Sequence, residues 1–166
     1  MRLAALPCLL ALAAAPSCAR DSLAGLDAFA GEWAGTHEIL GEGVQHAAGY
    51  SVRRDGDSLV WDFQSGFQGG FTGRGVLRRD AAGGGLVETW TDSTMPGQPM
   101  DTTGSFDAAR GVLTMSGEAP DWTTGAPVGY RHETTLVSPD EWRYVMHQRQ
   151  ADGSWREVMW IVMRRK

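Results

Sequence analysis

Cysteine is all but missing. The chain has two, Cys8 and Cys18, and everything after them must fold without a disulfide and rely on its core alone. Long apolar runs are missing as well. The longest, residues 3–15, covers 13 positions, about 20 Å as a helix against the roughly 30 Å hydrocarbon core of a bilayer, so no segment reads as a membrane-spanning helix. Excess positive charge is absent too. With 15 Lys and Arg against 20 Asp and Glu the net charge is −5 and the pI is near 5.3, which argues against a nucleic-acid partner, because such binders carry a basic face. Lys166 is the sole lysine, and that arginine bias carries no chemistry of its own.

Catalytic strings are equally scarce. No Gly-x-Ser-x-Gly, Walker or His-Glu-x-x-His sequence occurs, so hydrolase and nucleotide readings lose their usual support. His37, His46, His132 and His147 never stand at His-x-His or His-x-x-x-His spacing. No metal or other cofactor is expected, and the four are read as surface or strand-face residues. Glu88, Glu133, Glu141, Glu157, Asp62 and Asp92 could supply paired carboxylates for acid–base work. Period-two strands do not say which of them face one another, and an enzyme is not the favoured reading.

What is present begins with Met1-Arg2, the apolar run 3–15, and Pro16-Ser17-Cys18-Ala19 ahead of Arg20 and Asp21. That is the pattern of a signal peptide over residues 1–19, and it predicts export to the periplasm or beyond. Two processing schemes fit. Ser17-x-Ala19 suits cleavage before Arg20, whereas Ala15-Pro16-Ser17-Cys18 is a degraded lipobox in which Cys18 would carry lipid and tether the protein to the outer membrane. Residues 20–166 are an ordinary length for a single domain with one core.

Asp21-Ser22-Leu23-Ala24-Gly25-Leu26-Asp27-Ala28-Phe29 is the one helical stretch expected there, with Leu23, Leu26 and Phe29 on one face; it reads as a lid or plug rather than a core element. From Gly31 the period changes to two. Strands are predicted over 32–40, 45–54, 58–66, 71–79, 86–92, 101–107, 112–117, 128–137, 141–148 and 155–165, separated by turn signals such as Asp55-Gly56, Pro96-Gly97, Ser138-Pro139-Asp140 and Asp152-Gly153. Alternation is clearest in Leu59-Trp61-Phe63, in Trp142-Tyr144-Met146 and in Trp155, Met159, Ile161 and Met163. Ten strands with one apolar face twist steadily and leave two unpaired edges, and closing the sheet removes both. The expected fold is all-β, an antiparallel up-and-down barrel of about ten strands, with the first and last meeting near Trp33 and Ile161. A two-sheet sandwich is the alternative.

Gly31-Glu32-Trp33-Ala34-Gly35, directly after the short helix, resembles the opening of the calycin superfamily of lipocalins and fatty-acid-binding proteins. The resemblance implies that Gly31 and Trp33 close one barrel end beneath an arginine of the last strand. Arg164 or Arg165 is available, and Arg164 is the one assigned. Gly31-x-Trp33-x-Gly35-x-His37 also looks like the opening of nitrobindin-type haem barrels, where glycine usually stands in place of His37.

Farther along, Phe71-x-Gly73-x-Gly75, Asp80, Glu88-Thr89-Trp90-Thr91-Asp92-Ser93, Gly104-x-Phe106-Asp107, Leu113-Thr114-Met115-Ser116-Gly117, residues 121–125 and 158–166 resemble an uncharacterised bacterial family, domain of unknown function 1579. Trp160 and Met163 depart from it, standing where an acidic and an aromatic residue are expected. The resemblance implies a calycin-like barrel without assigning an activity.

Such a barrel is wide enough for one small ligand. Candidate lumen or rim residues are Trp61, Phe63, Trp90, Asp92, Tyr130, His132, Tyr144, Met146 and Met159, with Asp92 either anchoring a polar ligand end or capping the turn after its strand. Six methionines after the leader and seven tryptophans make an adaptable apolar inventory. The expected function is binding of a small apolar or amphipathic molecule. The alternatives are a filled barrel serving as an envelope interaction platform, and a haem-binding or isomerase-like barrel.

Overall fold

A computed structural model describes residues 23–82, 84–121 and 124–166. The proposed leader, its cleavage site and Cys18 lie outside the described residues. Ten strands follow one another: β1 (Gly31–Ile39), β2 (Gln45–Asp55), β3 (Ser58–Ser65), β4 (Phe71–Arg79), β5 (Leu86–Asp92), β6 (Met100–Asp107), β7 (Val112–Pro120), β8 (Pro127–Ser138), β9 (Glu141–Arg149) and β10 (Trp155–Arg165). Each pairs antiparallel with its chain neighbours, and β1 pairs with β10, so the sheet is a closed up-and-down barrel and not a sandwich. At the seam Trp33 faces Arg165 and His37 faces Ile161, four residues along from the expected Trp33–Ile161 meeting. Gly56 and Gly153 take the left-handed conformation (φ +56° and +84°) that their tight hairpins need. Among the described residues no helix is long and apolar enough to cross a membrane.

The helical stretch is a 3₁₀ turn, Ala24–Phe29, rather than an α-helix. Six residues are too few for a stable α-helix, and the spacing of three between Leu23, Leu26 and Phe29 suits the three-residue turn of a 3₁₀ helix, which stacks them on one side. All three are buried in the main core. The element therefore belongs to the core that it plugs.

Alternation sets the inner face. Leu59, Trp61 and Phe63 on β3, Trp142 and Met146 on β9, and Ile161 and Met163 on β10 are buried. Met163, one of the two departures from the family pattern, is a core residue, while Trp160 beside it is only partly covered. The β10 pattern breaks where sequence periodicity suggested continuity. A bulge between Glu157 and Met159 shifts the register against β9, and an extra residue reverses which side chains face inward. Trp155 consequently lies outside, 39% exposed, with the Arg131 guanidinium 5.2 Å from its ring.

The plugged end is built around Trp33. Its indole Nε1 donates to the Phe29 carbonyl at 2.8 Å, and the Arg165 guanidinium lies 4.1 Å above the ring. Arg165 also donates to the carbonyls of Ala30 (2.9 Å), Ala28 (3.1 Å) and Pro139 (3.0 Å), joining plug, β10 and the β8–β9 turn. This corrects the assignment of Arg164. Arg165 shares the face of Trp33 because the two are register partners, whereas Arg164 points the other way, 72% exposed and 3.3 Å from Glu141. Gly31, at φ +138°, completes the arrangement, since a Cβ there would sit 2.5 Å from Arg165 Nη1. Arg165→Ala should therefore lower the unfolding free energy by about 1–3 kcal/mol, and Arg164→Ala should stay within about 0.5 kcal/mol. Equal urea midpoints for the two variants would contradict this reading of the seam.

Candidate functional site

The barrel is not filled. Below its open end lies a cavity of about 470 Å³, with Tyr50, Trp61, Phe63 and Trp142 toward the plugged end, and Gln68, Met95, Gln98, Asp121 and Gly125 from the β3–β4, β5–β6 and β7–β8 loops at the mouth. The nine candidates Trp61, Phe63, Trp90, Asp92, Tyr130, His132, Tyr144, Met146 and Met159 all border it. A larger concavity of about 590 Å³ is an open trough on the outside of β1–β5. There Arg74 and Asp62 already pair at 3.5 Å, and solvent screens such contacts. The cavity inside the barrel is the candidate site.

Trp90 and Asp92 act together, and of the two readings of Asp92 the contacts favour the turn cap over the ligand anchor. The Trp90 ring lies against two glycines of β4: a Cβ on Gly73 would fall 2.1 Å from its Cζ2, and one on Gly75 would fall 3.3 Å from its Cε3. Trp90 Nε1 donates to Asp92 Oδ2 at 3.1 Å. The other carboxylate oxygen accepts from Thr94 N at 2.8 Å, Thr94 Oγ1 at 2.6 Å and Met95 N at 3.1 Å, while Ser93 Oγ accepts from Thr72 N at 3.1 Å. Asp92 thus orients the indole and caps the β5–β6 loop. The Phe-x-Gly-x-Gly and Trp-x-Asp-Ser strings are two halves of one packing unit.

The carboxylate left to face the lumen is Glu88, two residues before Trp90 on the same face of β5 and only 8% exposed. His132 on β8 brings its Nε2 to 3.5 Å from Glu88 Oε2 and stacks on Tyr144 with ring centroids 5.2 Å apart. Burial raises the Glu88 carboxyl to about 7, an effect that the nearby Thr102 hydroxyl partly offsets. Burial alone lowers His132 to about 4. Both groups favour their neutral forms, for a shared reason: a desolvated charge is costly. Three buried polar atoms of the wall, His132 Nδ1, Trp61 Nε1 and Trp142 Nε1, have no hydrogen-bond partner among the described residues.

His37 is neither a surface nor a spare group. It is buried, with Nδ1 3.0 Å from Ser65 Oγ and Nε2 3.0 Å from Met159 Sδ. Burial first, and His46 second, lower it to about 4. Both ring nitrogens are engaged, so a haem iron would have to displace one of these contacts. His46 and His147 do not border the cavity. Among the described residues no cluster of three or more His, Cys, Asp or Glu is arranged to hold a metal ion.

Sequence reasoning missed Glu88, His37 and Tyr50 as lumen residues. The signal for Glu88 was available, because period two from Trp90 lands on it. Among the described residues neither arginine nor lysine borders the cavity.

A family model described as "Protein of unknown function (DUF1579)" matches residues 20–165. The chain belongs to the DUF1579 family. The crystal structure of Rv2717c from M. tuberculosis resembles this DUF1579 barrel with a TM-score of 0.62 at 14% identity, covering 89% of this chain and 98% of that one. That likeness concerns the fold alone. No curated protein matches the chain.

Proposed function

We propose that this DUF1579 protein is an exported, calycin-like binding protein that holds one small amphipathic molecule in its lumen. The observation that carries the reading is the lumen cavity of about 470 Å³ walled by aromatic and thioether side chains. Binding pockets typically measure about 300–1,000 Å³, mostly apolar with a few convergent polar groups. An interaction platform built on a filled barrel would have no such space. The leader pattern of residues 1–19 supports export, by release after Ala19 or by lipidation of Cys18.

The expected result is saturable uptake of a neutral polarity-sensitive dye, N-phenyl-1-naphthylamine, with blue-shifted emission and one dye per chain. Ala119 borders the cavity, so Ala119→Phe should weaken dye binding by about tenfold while overpacking costs no more than about 1–3 kcal/mol of stability. A wild-type protein that takes up no dye, or a variant that binds it unchanged, overturns the lumen as the site. Native mass spectrometry of protein from its own host reads the mature N-terminus, any lipid on Cys18 and a retained guest together. A retained leader there overturns the export reading.

A further inference from the structure

The ionisable side chains around the lumen are unequal in sign. Glu88, Asp92 and Asp121 border the cavity together with two histidines, His37 and His132, and among the described residues no arginine or lysine joins them. Asp92 is taken up by the β5–β6 loop, and Asp121 holds the β7–β8 loop through Thr124 N and Thr124 Oγ1 at 2.8 and 2.9 Å and accepts from Gln148 Nε2 at 2.6 Å. Glu88 is the acid of the lumen wall that holds no loop.

Its surroundings are aromatic. Above Gly75, the position a Cβ would occupy lies 2.8 Å from Glu88 Oε1, 3.3 Å from Trp90 Cε3 and 3.4 Å from Trp61 Cδ1. One carboxylate oxygen and the margins of two indoles therefore converge on the same side of β4, packed into the space that the missing side chain of Gly75 leaves to them. Tyr144, stacked on His132, lies on the opposite wall.

A fatty carboxylate entering this lumen would meet Glu88 in a poorly solvated space with no arginine or lysine among the described lining residues to pair with it. Like charges at short range in low dielectric repel strongly. An ammonium group gains on both counts, from the carboxylate and from the aromatic rings, whose electron-rich faces attract cations. We propose that the guest is an amphipathic organic cation, its ammonium head set beside Trp61, Trp90 and Tyr144 with Glu88 as counter-ion, and that the lumen rejects fatty carboxylates. This rests on the binding-protein reading and adds the chemical class of the guest.

The groups facing Glu88 are His132 from β8, Tyr50 from β2, Tyr144 from β9 and the Thr102 hydroxyl from β6. Burial raises both tyrosines above their usual range, so they stay neutral, and His132 is held neutral as well. Glu88 is then the group whose charge changes near neutrality, and cation binding strengthens as pH rises through its titration.

The test is displacement of N-phenyl-1-naphthylamine by four ligands of equal chain length: dodecyltrimethylammonium, dodecylamine, dodecanol and dodecanoate, each below its micellar concentration. Both ammonium compounds should displace the dye at about tenfold lower concentration than dodecanoate. Their affinity should rise about threefold or more between about pH 6 and pH 8 while that of dodecanol stays level. Glu88→Gln should reduce the ammonium preference to less than about threefold and leave dodecanol unaffected. The wild-type pH series probes the same carboxylate without the variant. Dodecanol binding with no preference for ammonium, or with dodecanoate preferred, overturns the cation assignment alone. Displacement by none of the four, in a protein that also takes up no dye, overturns the binding-protein reading with it.

Discussion

Replacing Trp142 by alanine should lower the unfolding free energy by about 3–5 kcal/mol, the range for truncating a fully buried tryptophan. Trp142 is 1% exposed and is the ring on which the plugged end converges. Tyr50, Trp33, Trp61 and Phe29 place their centroids 5.1, 6.0, 6.4 and 6.5 Å from it. Aromatic pairs contribute about 0.5–1.5 kcal/mol each beyond their buried area, and the void left by an indole cannot collapse when its walls are strands of a closed barrel. Because domains of this size are stable by only about 5–15 kcal/mol, the loss is a large fraction of the total. Trp155→Ala is the control: that ring is exposed against Arg131, and its removal should cost about 1 kcal/mol or less. Urea midpoints followed by far-ultraviolet circular dichroism decide the matter. A Trp142→Ala protein as stable as the Trp155→Ala protein would show that the aromatic cluster is not the core it resembles.

The second large effect is on pH. His37 and His132 fall to about 4 in the folded protein from an ordinary 6.5, so the unfolded chain takes up protons first on acidification. Their contribution is fully present above about pH 6.5 and is lost as pH falls toward 4, by up to about 3 kcal/mol for His132 at 1.36 kcal/mol per unit. Glu88 runs the other way. Raised from 4.5 to about 7, it favours folding most below pH 4.5, and that contribution is lost as pH rises through 7. Between these values the two histidines outweigh one glutamate, so stability should climb from pH 4.5 to about 6.5 and then level off or dip. Glu88→Gln removes the opposing slope. Its acid loss should be steeper than that of the wild type, and its stability at pH 8 should match or exceed it. Urea melts of both proteins from pH 4.5 to 8 read this directly. Parallel curves would mean that Glu88 is solvated and ionised throughout.

Both effects come from inward-facing residues, and those residues differ in how far the sequence revealed them. Trp142, Tyr144 and Met146 declared their face by alternation alone, because each strand decides locally which side chains lie together. Glu88 was equally legible in principle as the second residue before Trp90, but its partner was not. Nothing along the chain says that β5 and β8 oppose each other across a lumen, and the meeting of Glu88 with His132 is a consequence of curvature. His37 has the same history, since its contacts with Ser65 and Met159 span 28 and 122 residues. Asp92 carried two readings until its loop contacts showed both oxygens occupied.

Local chemistry alone determined that ten short strands would alternate, where nearly all of them would begin and end, and that a short N-terminal element would bring Leu26 and Phe29 to the barrel. Dihedral preferences, turn residues and period-two patterning act over a few residues and are therefore written in order along the chain. Only the closed structure decided that Arg165 and not Arg164 caps Trp33, that a bulge sends Trp155 outside, and that one carboxylate faces a lumen whose described lining holds no arginine or lysine. Those outcomes depend on register and on which strands stand opposite one another, and closing the barrel fixes both at once for all ten strands.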